Sequence, residues 1–141
     1  MTRYLLDTNI VSETIKPAPS QALLDWLADQ PDKSLYISAL TLAELFCGVL
    51  QLPAGRKRRD LEKWLNGPEG PQMVFAGRIL FFDDRAALIW GRLIALGAKN
   101  GRPRSPLDMI VAATAEANDC VIATGNERHF SGLKVFNPLK G

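Results

Sequence analysis

The run Tyr4-Leu5-Leu6-Asp7-Thr8-Asn9 sets a carboxylate, a hydroxyl and an amide directly behind three residues that read as a short buried strand. Two further acids stand in comparable settings. Glu44 follows the apolar run Leu35-Tyr36-Ile37-Ser38, and Asp108 follows Ser105-Pro106-Leu107. Carboxylates gathered at one place repel, and without a counter-charge one of them takes up a proton. A hard divalent cation removes that conflict. Mg²⁺ takes oxygen ligands, keeps several waters and is held by one or two carboxylates together with substrate phosphate. Mg²⁺ or Mn²⁺ so bound polarises a phosphodiester and lowers the pKa of a coordinated water. That chemistry needs neither histidine nor cysteine, and the chain has one histidine and two cysteines in 141 residues.

Composition narrows the alternatives. One histidine and no paired cysteines argue against a structural zinc site. Cys47 and Cys120 each fall in an apolar segment, which predicts reduced core thiols in a cytosolic protein. The N-terminus sets Arg3 and Asp7 around only three apolar residues, so no signal-peptide core is expected. No apolar run approaches the roughly 18 residues of a membrane span. The expectation is a soluble, cytoplasmic protein of one domain spanning residues 1–141. A net charge of +2 says little about partners until the charges are located.

The acids must be positioned by strands alternating with helices. A strand at Tyr4–Leu6 leads into a short helix that Pro17 and Pro19 end. Ser20 caps a second helix, with Leu23, Leu24 and Leu27 inward and Trp26 beside them. Leu35–Ser38 is the second strand, and the next helix opens at Thr41-Leu42-Ala43-Glu44 and runs through Leu50. Leu42, Leu45, Phe46, Val49 and Leu50 form its apolar stripe. Arg56 begins a helix carrying Leu61, Trp64 and Leu65, and the glycines and prolines of 66–71 form a loop. A third strand over Arg78–Phe82 ends at Asp83-Asp84, and the following helix carries Leu88, Ile89, Leu93 and Leu96. The basic stretch 97–106 connects to a helix opened by Ser105-Pro106-Leu107-Asp108. Val121–Thr124 is the fourth strand and Val135-Phe136 a short fifth. This alternation predicts one three-layer α/β domain with a central parallel sheet.

In such a sheet, strand carboxyl ends and helix amino ends share one edge, so Asp7, Glu44 and Asp108 converge there. Each acid also has a plain structural reading. Thr41-x-x-Glu44 and Ser105-x-x-Asp108 match the capping box, and Asp7 suits a helix N-cap. Asp83 ends a strand too, but Asp84 and a helix follow at once, so capping is favoured there. Three such acids on one edge weigh against capping as the whole account.

The motifs Leu6-Asp7-Thr8-Asn9, Leu42-Ala43-Glu44-Leu45, Pro106-Leu107-Asp108-Met109-Ile110-Val111-Ala112-Ala113-Thr114-Ala115 and Ala123-Thr124-Gly125-Asn126-Glu127-Arg128-His129-Phe130 occur here in sequence. In that order and across nearly the full length, the chain resembles PIN-domain proteins, and within them the VapC-type ribonuclease toxins of VapBC systems, FitB-like branch. The resemblance implies Mg²⁺- or Mn²⁺-dependent endonucleolytic cleavage of single-stranded or looped RNA, leaving a 5′-phosphate and a 3′-hydroxyl. It also implies a VapB-type antitoxin partner and a homodimer or higher assembly. Carried over by position, Asp7, Glu44 and Asp108 match the acidic core and metal ligands, and Thr8 the hydroxyl beside them. Many PIN domains carry a fourth acid where this chain has Asn126. The amide orients water but adds no charge, which leaves one metal or two open; the adjacent Glu127 is an alternative acid.

Arg102 and Arg104 lie in the loop leading to Asp108 and are candidate contacts to RNA phosphate. The run Arg56-Lys57-Arg58-Arg59 reads instead as a solvated helix face. His129 reads as a partly buried structural histidine beside Phe130, and Trp26, Trp64 and Trp90 as core or interface residues. No Gly-x-x-x-x-Gly-Lys or Gly-x-Gly-x-x-Gly is present, which argues against nucleotide cofactors. A haloacid-dehalogenase-type phosphatase would need Asp-x-Asp where this chain has Asn9. The remaining alternative is a PIN-like module that binds RNA or protein without cutting, motivated only by Asn126.

Overall fold

In a computed structural model describing residues 1–140, five strands form one parallel sheet in the order β3-β2-β1-β4-β5. The strands are β1 (Tyr4–Leu6), β2 (Leu35–Ser38), β3 (Ile79–Leu80), β4 (Val121–Ala123) and β5 (Val135–Phe136). The helices are α1 (Thr8–Thr14), α2 (Gln21–Asp29), α3 (Ala39–Leu50), α4 (Arg56–Asn66), the single turn α5 (Pro71–Val74), α6 (Asp84–Lys99) and α7 (Pro106–Ala117). The three-layer α/β reading is borne out.

Successive strand residues point to opposite faces, and each face is covered by its own helices. Leu5 and Ile122 pack with Met109, Val111, Ala112 and Phe130 beneath α6 and α7. Leu6, Ile37 and Ala123 pack with Ile10, Leu23, Leu45 and Val49 beneath α1, α2 and α3. The order places β1 at the centre, with β2 and β4 on either side. Connections from β1 run first toward β2 and β3 and then return to β4 beyond it. The carboxyl ends of β1 and β4 therefore flank the switch point of the sheet, where α/β proteins form crevices for ligands.

Several local expectations are corrected. α3 begins at Ala39 with Ser38 as its cap, whose Oγ accepts from the Thr41 amide at 3.1 Å. Ser38 stops a strand and starts a helix, and Thr41 is buried inside the first turn. β3 is only Ile79–Leu80 at the sheet edge, where one neighbouring strand pairs with it, so Phe81 and Phe82 lie outside the strand and are exposed. α6 continues to Lys99, which shortens the basic connection. Leu88 and Leu96 lie on the outer face of α6, while Ala86, Leu93 and Gly97 face inward; Leu50 is likewise exposed at the end of α3. Cys47 is exposed, because Leu45 and Val49 take the inward face of α3, whereas Cys120 is buried as expected. Among the described residues, no helix is long and apolar enough to cross a membrane.

The tryptophans are structural, as read. Trp26 packs edge-on against Tyr4 with ring centroids 4.9 Å apart, Trp64 joins the cluster under α3, and the Trp90 indole donates to the Pro106 carbonyl at 3.0 Å. The α4 cations pair along their own helix, Arg58 with Glu62 at 2.6 Å and Arg56 with Asp60 at 3.9 Å.

Candidate active site

Asp7 leaves β1 at the switch point, one residue beyond the Leu6–Ala123 pair that ends the β1–β4 ladder. Its amide still donates to the Ala123 carbonyl at 2.9 Å, so the backbone is held as an extension of the strand. The side chain turns to cap α1, with Oδ1 accepting from the Thr8 amide at 2.9 Å. Oδ2 accepts from the Thr124 hydroxyl at 2.9 Å and from the Asn9 side-chain amide at 3.0 Å. Asn9 in turn accepts from the Gly125 amide at 2.9 Å, and the Thr124 hydroxyl accepts from the Asn126 amide at 3.0 Å. One strand end thus clamps the other through side chains that all meet at a single carboxylate.

Asp7 caps a helix as the plain reading held, yet capping does not account for its surroundings. Burial raises its pKa above the ordinary carboxylate range; the bonds from Thr124 and Thr8 oppose the rise, and the charges of Asp108 and Glu44 add to it. Asp108 and Glu44 therefore both stand within electrostatic reach of Asp7.

Glu44 is the sixth residue of α3, in its second turn. A capping box anchored at Thr41 is excluded, because Ser38 is the cap and Thr41 lies within the helix. Glu44 instead accepts the Thr8 hydroxyl at 2.6 Å, and that hydroxyl also lies 3.1 Å from the buried Thr41 hydroxyl. Thr8 therefore links the residue beside Asp7 to the second acid.

Asp108 sits in the first turn of α7. Ser105 caps that helix through the Asp108 amide at 3.3 Å, the half of the capping box that does not use the acid's side chain. The Asp108 carboxylate faces His129, with Nδ1 3.4 Å from Oδ2. His129, read as a partly buried histidine beside Phe130, is half-exposed beside the acid, and the core position belongs to Phe130.

Asn126 is exposed at the mouth of the crevice. Glu127 is held by Lys140 at 2.8 Å and by the Asn137 side-chain amide at 3.1 Å, and these bonds lower its pKa. Arg104 spends its guanidinium on the Ser131 carbonyl at 2.7 Å, while its stem crosses Gly97 so closely that a Cβ there would stand 2.9 Å from it. Arg102 is exposed in the same loop.

The sequence reading passed over the positioning shell: Ser38, Thr41, Thr124 and the use made of Asn9. Asn9 and Thr124 were visible in the motifs, but only the β1–β4 pairing brings them onto one carboxylate.

The donor set is all oxygen. It suits a hard divalent cation, and the raised pKa of Asp7 marks a charge the protein leaves uncompensated. Among the described residues, no three acid, histidine or cysteine side chains close on a single point as a ready-made cage. An ion held by one or two carboxylates, its own waters and a substrate phosphate requires no such cage.

A parallel sheet with a buried, hydrogen-bonded carboxylate at its switch point defines an α/β protein whose ligand site belongs at that edge. The PIN-domain family profile matches residues 4–134. The chain is 38% identical over 136 residues to VapC ribonuclease Y4jK of Sinorhizobium fredii, covering 95% of this chain and 96% of that one. It is 36% identical to Toxin FitB of Neisseria gonorrhoeae over the same shares. The structure of FitAB bound to an IR36 DNA fragment superposes with a TM-score of 0.88 at 33% identity, covering 96% of this chain and 95% of that one. The chain belongs to the PIN-domain family, in its VapC/FitB-like toxin branch.

Proposed function

We infer that this chain is the ribonuclease toxin of a type II toxin–antitoxin pair, hydrolysing RNA phosphodiester bonds with a divalent cation at Asp7, Glu44 and Asp108. The observation that carries this reading is the buried, doubly flanked Asp7 carboxylate at the sheet's switch point. The relatedness to a VapC ribonuclease over nearly the whole chain supports the same reading.

The chain's own residues do the positioning. Thr124, Asn9 and the Thr8 amide take three of the roughly four lone-pair sites of the Asp7 carboxylate and lock it in one orientation, which leaves one site on Oδ1 for a cation. The Thr8 hydroxyl holds one oxygen of Glu44 and leaves the other unassigned. Bound there, Mg²⁺ or Mn²⁺ would polarise the phosphodiester and activate water for attack. Asn126 orients water at the mouth without adding charge.

An active ribonuclease needs a standing inhibitor, and the surface offers one a place. Phe81 is 70% exposed and Phe82 41% exposed at the carboxylate edge of the sheet, and Leu107, beside Asp108, is 53% exposed. A VapB-type antitoxin covering this apolar rim would bring an arginine to the acids, where a bidentate pair competes with the cation. Self-association of the toxin into a homodimer or higher assembly belongs to the same reading.

Cleavage of RNA by the purified chain in Mg²⁺, Mn²⁺ and EDTA, beside Asp7→Asn and Asp108→Asn, tests the function. Cleavage in the two metals, none in EDTA and none in either folded variant is expected. RNA binding without cleavage in any metal would favour the non-cutting module.

A further inference from the structure

An open groove of about 1170 Å³ lies between the second half of α6, the 100–105 loop and the 128–133 turn, with Asp108, but neither Asp7 nor Glu44, among its lining residues. It is larger than the roughly 300–1,000 Å³ of a small-molecule pocket and is not enclosed, so it suits a chain passing through. Its walls carry Arg92, Arg102, Arg104 and Arg128, and the one acid among its lining residues is Asp108. The four arginines are not equivalent. Arg92 is paired with Glu116, and Arg104 is bonded to the Ser131 carbonyl, where it ties one wall to the other. Arg102 and Arg128 are exposed, and their side chains make no hydrogen bond or ion pair among the described residues.

No Phe, Tyr or Trp lines this groove, and its one aromatic ring, His129, stands against Asp108 with Nδ1 3.4 Å from Oδ2. Cations that contact phosphates position a strand and leave base identity unread. Because Asp108 is shared between the acidic site and the groove lining, a strand whose scissile phosphate lay at the acids would reach into the groove. The α4 run is the other concentration of positive charge, but two of its four cations are already paired within the helix.

We propose that this groove seats the sugar–phosphate backbone of single-stranded RNA on one side of the scissile bond, through Arg102 and Arg128, without discriminating bases. The proposal rests on the ribonuclease reading and adds where the substrate leaves the site and how it is held. Selection of a particular RNA is then made elsewhere on the molecule.

The test uses the full chain carrying Asp7→Asn, in EDTA, binding labelled oligo-U and oligo-A across a salt titration read by fluorescence anisotropy. Each phosphate contact to a single strand contributes about 0.7 to the slope of log affinity against log salt. Adding Arg102→Ala and Arg128→Ala together should flatten that slope by about 1.4, two contacts of about 0.7 each, equally on both oligomers. Lys57→Ala with Arg59→Ala should leave the slope unchanged. Thermal unfolding of each variant confirms that a folded chain is being compared. An unchanged slope in the Arg102/Arg128 variant overturns the proposal, as does a loss confined to one base. Equal binding of a duplex of the same length overturns the assignment to a single strand. Cleavage by the wild-type chain is measured separately. A chain that cuts RNA while the slope stays unchanged sinks the groove alone; one that fails to cut while the slope falls sinks the ribonuclease reading alone.

Discussion

Glu44 shows how a side chain's role depends on where its helix begins. With Ser38 as the cap, Glu44 sits one turn too deep to bond back to the helix start, and its recorded partner is the Thr8 hydroxyl at 2.6 Å. Glu44→Gln keeps an oxygen for that hydroxyl and removes only the charge. Stability should change by no more than about 0.5 kcal/mol, as for substitutions that break no buried network. Cleavage should fall by about 10–100-fold or more, the range for groups that hold or orient a metal's ligands. Unfolding curves beside cleavage rates check both halves, and a variant as active as the parent would remove Glu44 from the site. Asp7 and Asp108 were legible as candidates because each is an acid in a recognisable strand-to-helix or loop-to-helix signal. The contact of His129 with Asp108 was not legible, because Phe130 takes the core position and one residue's burial says nothing about which way the next one faces.

At the level of elements, the amino end of α3 does two jobs. Ser38 closes the last residue of β2 and caps the helix, and its hydroxyl also stands 3.4 Å from that of Thr41. Thr41 in turn lies 3.1 Å from the Thr8 hydroxyl that holds Glu44. Ser38→Ala should therefore cost about 1 kcal/mol, the usual loss for a removed N-cap. It should also lower cleavage while leaving Asp7 and Asp108 in place. Urea denaturation gives the first quantity and the cleavage rate the second; a stability loss with full activity would confine Ser38 to capping. The boundaries of α3 and β3 were the least legible part of the fold. Thr41 and Ser38 are equally good caps by residue type, and Phe81-Phe82 look as strand-like as Ile79-Leu80. What separated them was pairing: β3 has one neighbour at the sheet edge, and its ladder to β2 ends at the Ser38–Leu80 pair.

For the whole molecule, the site lowers stability where it gains function. Burial and two neighbouring carboxylates raise the pKa of Asp7, so between about 3.9, the ordinary unfolded value, and the higher folded value, the native state holds more protons than the unfolded one. By linkage, stability must then fall as pH rises through that window. Glu13 and Glu127 work the other way, because their partners lower their pKa values and their contributions are lost on acidification. The Asp7 contribution is isolated by comparison with Asp7→Asn. Without metal, the wild-type chain should lose stability relative to that variant as pH rises from about 3.9 through the higher folded value. Added Mn²⁺ should then raise the wild-type melting temperature and leave that of the variant nearly unchanged. Thermal unfolding across pH, with and without Mn²⁺, measures both. Parallel pH curves for the two chains would mean that Asp7 is no more strained folded than unfolded.

The alternation of apolar runs and amphipathic helices, and the setting of each acid just after a strand or at a helix start, were determined by the sequence, because each depends on residues close together in the chain. The order of the strands was not. Asp7 and Thr124 are 117 positions apart and Thr8 and Glu44 are 36 apart, and only the placement of β1 between β2 and β4 brings both pairs into contact. The exposure of Cys47, Phe81, Leu88 and Leu96 was likewise decided by packing, since an apolar residue's type favours burial but the helix face or strand edge it occupies determines whether burial is available.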